Sequence, residues 1–480
     1  MSQPSNSAPR RSFVICGERF YFPGDGTDAL IHIGTVFIEK AVLVLGPMLI
    51  MFASAIIGGL SYTYFTIILP MLEHKYGDNP EATMMISLHT CIVVFFVVEI
   101  CFNYFMCVTT RNKGKNYDRV VRELAEATNF PFPETPQELE SYRRDTEDKM
   151  NIRMRQRYRR QQEHQAPPAT SGNGSDSMGD TANNNTNNTN NTNNMKHRKN
   201  PPKKHPAELS PQAMRKLLNT RPPKAAAPPQ QQQPKEKVRS WMLMAPDEWG
   251  YCSRSEQPKP PRSHYDHVSK TLVLCLDHYC PWMFNVIGYF NYRYFCNFLW
   301  FVELAMIYGA FITYEPFMNT SGRIYRAQRD QFRKTHDRIR MYPMVPFSDE
   351  RLKVSLSFML SLSIGIAVAC LGGFHLYLCL TGQTTIEFHG NWVNQRKARK
   401  LNKRWKNPYA MGMKRNWQQV YGSGNPLLAF LIPSCREPEF LPLPLPEEKG
   451  RRIWARKKYD KLSQDDSATK SATNGGDMIV

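Results

Sequence analysis

Apolar residues in this 480-residue chain gather in four blocks separated by polar and basic sequence. The first begins near Ala41 as AVLVLGPMLIMFASAIIGGLSYTYFTIILP, and the second, MMISLHTCIVVFFVVEICFNYFMCV, covers about 84–108. The third, YFCNFLWFVELAMIYGAFITY, runs over roughly 294–314, and the fourth, VSLSFMLSLSIGIAVACLGGFHLYLCL, over about 354–380. Each stays apolar on every helical face across the roughly 20 residues a bilayer crossing needs, whereas a soluble helix keeps a polar stripe. The pattern predicts an α-helical polytopic membrane protein with four transmembrane helices. The polar start MSQPSNSAPRRSF carries no cleavable signal peptide, so the first span is expected to direct insertion.

Four crossings place both termini and the long segment 109–291 on one side. That segment and the NQRKARKLNKRWK run after span four are rich in Lys and Arg, which assigns this side to the cytosol. One loop conflicts. Between spans three and four lie Arg323, Arg326, Arg329, Arg333, Lys334, Arg338 and Arg340, in a stretch that should be lumenal. A glycosylation sequon at Asn319–Ser321 suits a lumenal loop. The net charge of +20 at pH 7 is read as attraction to anionic membrane lipids, and no nucleic-acid partner is expected. The 11 cysteines follow no secreted disulfide pattern, and the cytosolic ones, including Cys252, Cys275 and Cys280, are expected to be reduced.

Composition divides the rest. Residues 1–40 form a cytosolic N-terminal segment, 41–108 hold spans one and two, and 109–239 form a largely disordered cytosolic insert. Within that insert about 155–237 are Asn-, Gln- and Pro-rich, a composition that cannot offset chain entropy, with short helices expected just before it. Order resumes in a small module at 240–293, followed by spans three and four with their lumenal loop at 294–380 and a cytosolic segment at 381–435. A charged tail occupies 436–480 and is expected to be disordered from about 447. A module of some fifty residues is too small for a large core of its own, so it must lean on the spans.

The module ends in LVLCLDHYCPWMFNVIGYFNYRYF. Asp277, His278 and Cys280 there can act as acid, base and nucleophile, since a cysteine attacks as thiolate and needs a neighbouring base. The same cluster could instead hold a metal, and adjacency alone does not choose between them.

The run DHYCPW, followed by NVIGYFNYRYF and a span, resembles the DHHC family of protein S-acyltransferases in an Asp-His-Tyr-Cys variant. Upstream, CSRSEQPKPPRSHYDHVSKTLVLCL has the skeleton of that family's cysteine-rich region. After span four, Thr384-Thr385-Ile386-Glu387 looks like its TTxE motif, and NPYAMGMKRNWQQVYG resembles its C-terminal motif, with Asn416 and Tyr421 at key positions. FVICGERFYFPGDGTDAL is similar to the segment before span one in plant-type and fungal members, whereas TTRNKGK after span two lacks the family's Asp-Pro-Gly.

The resemblance implies acyl-CoA as co-substrate and a long-chain acyl group, palmitoyl above all, passing through Cys280 to protein cysteines. His278 would be the base and Asp277 its orienter. The implied clients carry cytosolic cysteines near the membrane, and the implied location is an endomembrane such as Golgi or endoplasmic reticulum. Trp282, Phe295, Phe298 and, nearer the mouth of span three, Tyr292 and Tyr294 are candidates for the acyl-chain site. Ala305 stands at the family's chain-length gauge. Lys259, Arg262 and Arg293 are candidates for the CoA phosphates. Thr384, Thr385, Glu387 and Asn416 are read as structural. Glu99 and Glu303, ionisable groups inside spans, have no assigned role.

The family's cysteine-rich region binds two zinc ions. Here the matching positions are Cys252, Ser255, Tyr265 and Leu272 for one site, and Asp266, Ser269, Tyr279 and Val286 for the other. Neutral Tyr, Ser, Leu and Val do not make a tetrahedral zinc site, so no metal is expected. Apolar packing with hydrogen bonds from Tyr265 and Tyr279 is expected to replace it. The alternative reading of the whole chain is a catalytically inactive DHHC-like membrane scaffold or chaperone.

Overall fold

The computed structural model describes residues 12–15, 18–21, 26–77, 80–165 and 244–457. The chain divides into two compact units, Met1–Met150 with Trp241–Val480, and Asn151–Ser240. Of the second unit only a helical end is described, so most of the expected disordered stretch lies outside the described residues. All four apolar blocks and the DHYC run belong to the first unit.

Four helical stretches are long and apolar enough to cross a membrane: Val44–Tyr76, Pro80–Thr109, Tyr292–Met318 and Arg351–Thr381. They coincide with the four apolar blocks. Spans three and four pack along each other, and span two packs on span three. Span one stands apart: 6% of its most apolar window is buried, against 39% for span three, which leaves a gap beside it. Its helix loosens into a π segment at Tyr64–Ile68, a device that turns side chains out of α register and here buries Tyr64, Ile67 and Ile68.

Near the N-terminus a short hairpin, β1–β2, pairs Ser12–Ile15 with Glu18–Tyr21. The module is built from three further antiparallel hairpins, β3–β4 (Gly250–Cys252, Gln257–Lys259), β5–β6 (Ser263–Asp266, Thr271–Leu274) and β7–β8 (His278–Cys280, Asn285–Ile287). In the module each turn has four residues, and the last of them, Glu256, Lys270 or Phe284, sits at positive φ directly before the second strand. These three positions recur every fourteenth residue, a repeat hidden in the sequence because its marker is a backbone angle and not a residue type.

Two expectations need correction. Where short helices were expected, Lys115–Ala127 and the 30-residue Pro136–Gln165 are formed. The longer one is polar on all faces and is held by intrahelical ion pairs such as Arg144–Glu140 at 3.2 Å and Arg143–Glu147 at 3.7 Å. The tail is also structured well past residue 447, through Glu447–Gly450 to residue 457. Leu441 and Leu443 enter a core with Val120, Leu124, Trp249 and Phe290. Fully buried Arg452 meets Glu123 at 3.0 Å and Glu437 at 2.7 Å. Its burial was hidden in the sequence because one of its two carboxylate partners, Glu123, lies more than three hundred residues away.

The loop between spans three and four carries a helix, Arg323–Thr335, whose buried Gln328 donates to the Val345 carbonyl at 2.9 Å. Arg340 pairs with buried Glu350 at 2.8 Å, so part of this loop's positive charge is internally matched. The sequon is folded in as well: Asn319 caps span three and donates to the Met344 carbonyl at 3.2 Å, while Thr320 is buried.

Candidate active site

The thiol stands at the end of β7, where the chain turns. Pro281 follows Cys280 with its φ preset for the first position of a turn. The Cys280 carbonyl accepts from Met283 N at 3.2 Å, and the Pro281 carbonyl from Phe284 N at 3.1 Å. This compact corner pushes the Phe284 ring against Gly46 of span one, where any Cβ would collide with it. A network of asparagines holds the hairpin from behind. Asn285 donates to the Cys107 and Thr110 carbonyls, each at 2.8 Å, and buried Asn112 donates to Val286 O and Asn291 Oδ1, each at 3.0 Å. The segment after span two thus packs tightly without an Asp-Pro-Gly, through Asn112.

Asp277 precedes β7 with its side chain fully enclosed. Its carboxylate accepts from Thr385 N at 2.7 Å and Thr385 Oγ1 at 2.9 Å, and lies 2.7 Å from His278 Nδ1. Burial would raise this carboxyl, but the bond to His278, the charges of His278 and His375 and the Thr385 amide outweigh it and hold it below its ordinary range. Burial would likewise discourage charge on His278. Its hydrogen bonds to Asp277 and to Cys280 prevail, and the imidazole is pushed up to about 9. An imidazole that keeps its proton beside a thiol favours the thiolate, which is the reactive form.

Cys280 and His278 open onto an apolar cavity of about 650 Å³ lined by residues of all four spans. Trp282, Phe295, Phe298 and Ala305 line it, and Tyr64 and Ile68 of the π segment line it too. Tyr292 and Tyr294 do not. Tyr292 turns to His375, and Tyr294 donates to the Ser434 carbonyl at 3.2 Å. Glu99 is buried in span two and accepts from Asn103 Nδ2 at 3.0 Å.

Two of the three cations expected at CoA phosphates, Arg262 and Arg293, are engaged by the C-terminal segment. Arg262 forms a two-point pair with Glu387, both bonds 2.7 Å, and donates to the Pro442 carbonyl at 2.9 Å. Arg293 is buried and donates to the Ser434 carbonyl at 2.7 Å. Lys259 lies in β4, and burial pulls its ammonium down. A charged group read as a phosphate clamp is, for both arginines, a fastener for the C-terminal segment.

Glu387 sits there because the TTIE run closes a capping box at the start of the Thr385–Lys400 helix. Thr384 Oγ1 accepts from Glu387 N at 3.3 Å, and Glu387 Oε2 from Thr384 N at 2.9 Å. One turn of helix therefore aims Thr385 at Asp277 and Glu387 at Arg262. Asn416 donates to the Leu380 carbonyl at 2.7 Å, and it stands against Gly382, whose φ of +66° and lack of a Cβ permit the approach. Tyr421 is buried and stacks on Trp417 at 4.1 Å.

The positions matching zinc ligands do not fit that ion. Tyr265 pairs across the sheet with Leu272, and Tyr279 with Val286. Leu276, Val273 and Val286 form a small core on which Tyr279 and Ile386 pack. Tyr265 lies edge-on to His267 at 5.4 Å, with Arg254 over its face at 5.8 Å. Asp266 accepts from Ser269 N at 2.7 Å, an ordinary turn bond. Among the described residues, ring and aliphatic contacts fill these positions, and no hydroxyl hydrogen bond of Tyr265 or Tyr279 is seen.

Comparison with known proteins agrees with this geometry. Residues 245–391 match the family described as DHHC palmitoyltransferase. The chain is 27% identical over 229 residues to palmitoyltransferase ZDHHC16A of Danio rerio, covering 39% of this chain and 56% of that protein. It is 29% identical to palmitoyltransferase ZDHHC15 of Xenopus laevis, over 38% of this chain and 46% of that protein. It is 28% identical to probable protein S-acyltransferase 16 of Arabidopsis thaliana, over 39% of this chain and 58% of that protein. The matched part spans about half the length of these relatives. The match shows a domain similar to the DHHC palmitoyltransferase family over residues 245–391, in a chain with four apolar spans, with Tyr279 standing where the family name has its second histidine.

Proposed function

We propose that this protein moves a long-chain fatty acyl group, palmitoyl foremost, from acyl-CoA to cysteines of client proteins through a thioester on Cys280. One observation carries the reading: the thiol next to the Asp277-bonded His278 lines an apolar cavity between the spans. In the first step the Cys280 thiolate attacks the acyl-CoA carbonyl carbon, and the carbon–sulfur bond to CoA breaks. His278 returns the proton to the departing CoA sulfur. In the second step a client thiol passes its proton to His278 and attacks the Cys280 thioester, which frees the Cys280 thiolate. Asp277 keeps the ring oriented throughout. The order is ping-pong.

A chain of methylenes gains about 0.8 kcal/mol for each one taken from water. The cavity can hold the acyl tail while its carbonyl stays at the module end. Ala305 leaves that cavity open along span three, so Ala305→Tyr should shift preference from sixteen-carbon towards shorter acyl-CoA. Clients with cysteines close to the cytosolic face of an endomembrane fit this placement, with both termini cytosolic. The module works without zinc, since aromatic and aliphatic pairs fill the matching positions, and metal analysis of purified protein should find well under one zinc per chain.

The deciding experiment incubates detergent-purified protein with labelled palmitoyl-CoA. A hydroxylamine-sensitive adduct on the wild type, absent from Cys280→Ser, is expected. No adduct on the wild type, or an undiminished one on Cys280→Ser, removes the acyl-transfer reading.

A further inference from the structure

Span four places one more imidazole at this site, and neither catalytic step uses it. His375 is 2% exposed near the C-terminal end of an apolar helix, Arg351–Thr381. Its ring centre is 5.9 Å from that of His278 and 4.9 Å from that of Phe295, and Phe295 is itself 5.1 Å from His278. Donor atoms of Asp277, His278 and His375 all lie within 4.8 Å of one another. On its other side His375 Nδ1 is 3.2 Å from the Tyr292 hydroxyl.

Packing alone does not account for an imidazole here. An aliphatic or phenyl side chain fills the same space without placing two ring nitrogens in an apolar helix, where each polar group needs a partner. Tyr292 supplies one partner, and the Asp277–His278 pair is what faces the ring from the module. Rotation of His278 about its side-chain bonds would break its 2.7 Å bond to Asp277 and turn the ring away from its place beside Cys280. Phe295 and His375 flank the ring and oppose that rotation.

We propose that His375 is a positioning residue for acyl transfer: through Tyr292 on one side and the Asp277–His278 pair on the other, span four holds the His278 ring in the orientation that serves Cys280. The groups facing His375 are Asp277 and His278 from the module and Tyr292 from span three. A neutral His375 supports the pair.

The inference rests on the acyl-transfer reading, but its test does not. The rate at which iodoacetamide alkylates Cys280, followed by mass spectrometry across pH 5–9, reports thiolate without any acyl-CoA. His375→Phe should lower the rate near neutral pH about tenfold, as the loss of one buried hydrogen-bonding partner would. His375→Gln, which keeps a polar partner for Tyr292, should recover the neutral rate to within about threefold. Tyr292→Phe should fall between them. Acyl-enzyme formation should track alkylation, with the KM for palmitoyl-CoA changed less than twofold. Alkylation profiles of His375→Phe or, should that variant not fold, of His375→Gln and Tyr292→Phe that superimpose on the wild type overturn the proposal, even where turnover falls. Absence of any acyl-enzyme in the wild type would instead remove the function proposed above.

Discussion

The two hairpins β5–β6 and β7–β8 share a four-residue turn, yet they differ in what ties them down. Besides the apolar packing of Met283, Val286 and Ile287, β7–β8 is fixed by hydrogen bonds: Asp277 to Thr385, Asn285 to the Cys107 and Thr110 carbonyls, Asn112 to Asn291. Around β5–β6 the ties are apolar, with Tyr265 opposite Leu272 and Val273 and Leu274 fully buried. Hydrophobic packing is non-directional and fixes shape to within the slack of its side chains. Hydrogen bonds fix directions, at the risk of a large penalty when a buried partner is lost. The chain spends directional contacts where a proton must pass between two named atoms. It uses grease where a strand only has to stay in place.

The sharpest break in this contrast is Asp277→Asn. The amide keeps the volume and can still accept from Thr385, but it offers an N–H to His278 Nδ1 and reverses the tautomer the thiol needs. Acyl-enzyme formation on labelled palmitoyl-CoA should drop by about 10²–10⁴-fold, with the unfolding temperature in detergent close to wild type. A drop of less than tenfold would mean that the hydrogen bonds around β7 organise structure and not chemistry.

Next in size is the clamp that ties the C-terminal segment to the module. Arg262 and Glu387 have side chains 5% and 8% exposed. Arg262→Met leaves Glu387 buried and unpaired, which should cost about 3–5 kcal/mol of stability. The pair Arg262→Met with Glu387→Leu should return most of that loss in thermal unfolding, because replacing both members of a buried ion pair by apolar groups is often close to neutral. Activity should return with it. Recovered stability without activity would show that the clamp also aims Thr385 at Asp277.

How far the sequence discloses each region follows the same divide. The four spans were legible because length and uninterrupted apolarity are local properties of the chain. Cys280, His278 and Asp277 were legible because they are adjacent in it. Arg262 and Arg293 were not, since a positive charge in sequence says nothing about a carboxylate 125 residues on or a carbonyl 141 residues on. His375 was hidden in an apolar run, where one polar residue in a span stands out only once its neighbours in space are known. Asn112, Asn285 and Asn291 follow the same rule: each is unremarked alone, but Asn112 donates to Asn291, and Asn285 and Asn291 both donate to the Thr110 carbonyl. The fourteen-residue spacing of the turns was legible in principle, but its signature is a left-handed residue that is not glycine at any of the three positions.

The apolar hairpin makes a quieter prediction. Leu272→Ala removes the cross-strand partner of Tyr265 and opens a void beside Val273, at a cost of about 2–5 kcal/mol. Chelation with EDTA or phenanthroline should leave wild-type unfolding unchanged. A chelator that lowers the unfolding temperature would assign the stability of β5–β6 to an ion and undo the comparison from its apolar side.

The smallest effect separates the two regions by pH. With His278 raised to about 9, its protonated form binds more tightly in the folded state than in the unfolded chain, where a free imidazole titrates near about 6.5. The stability it lends is fully present below that lower value and fades as pH rises through about 9. Asp277 is held below its ordinary range, so its share is present above about pH 4 and is lost as pH falls further. Wild type should therefore exceed His278→Gln in unfolding temperature most clearly between about pH 4 and 6.5, and the two should converge by about pH 9. Leu272→Ala carries no proton, so its deficit against wild type should stay level over the same range. A deficit for Leu272→Ala that varies with pH as His278→Gln does would mean that the two hairpins unfold as one coupled unit, and that the polar site draws its rigidity from the apolar strand pair beside it.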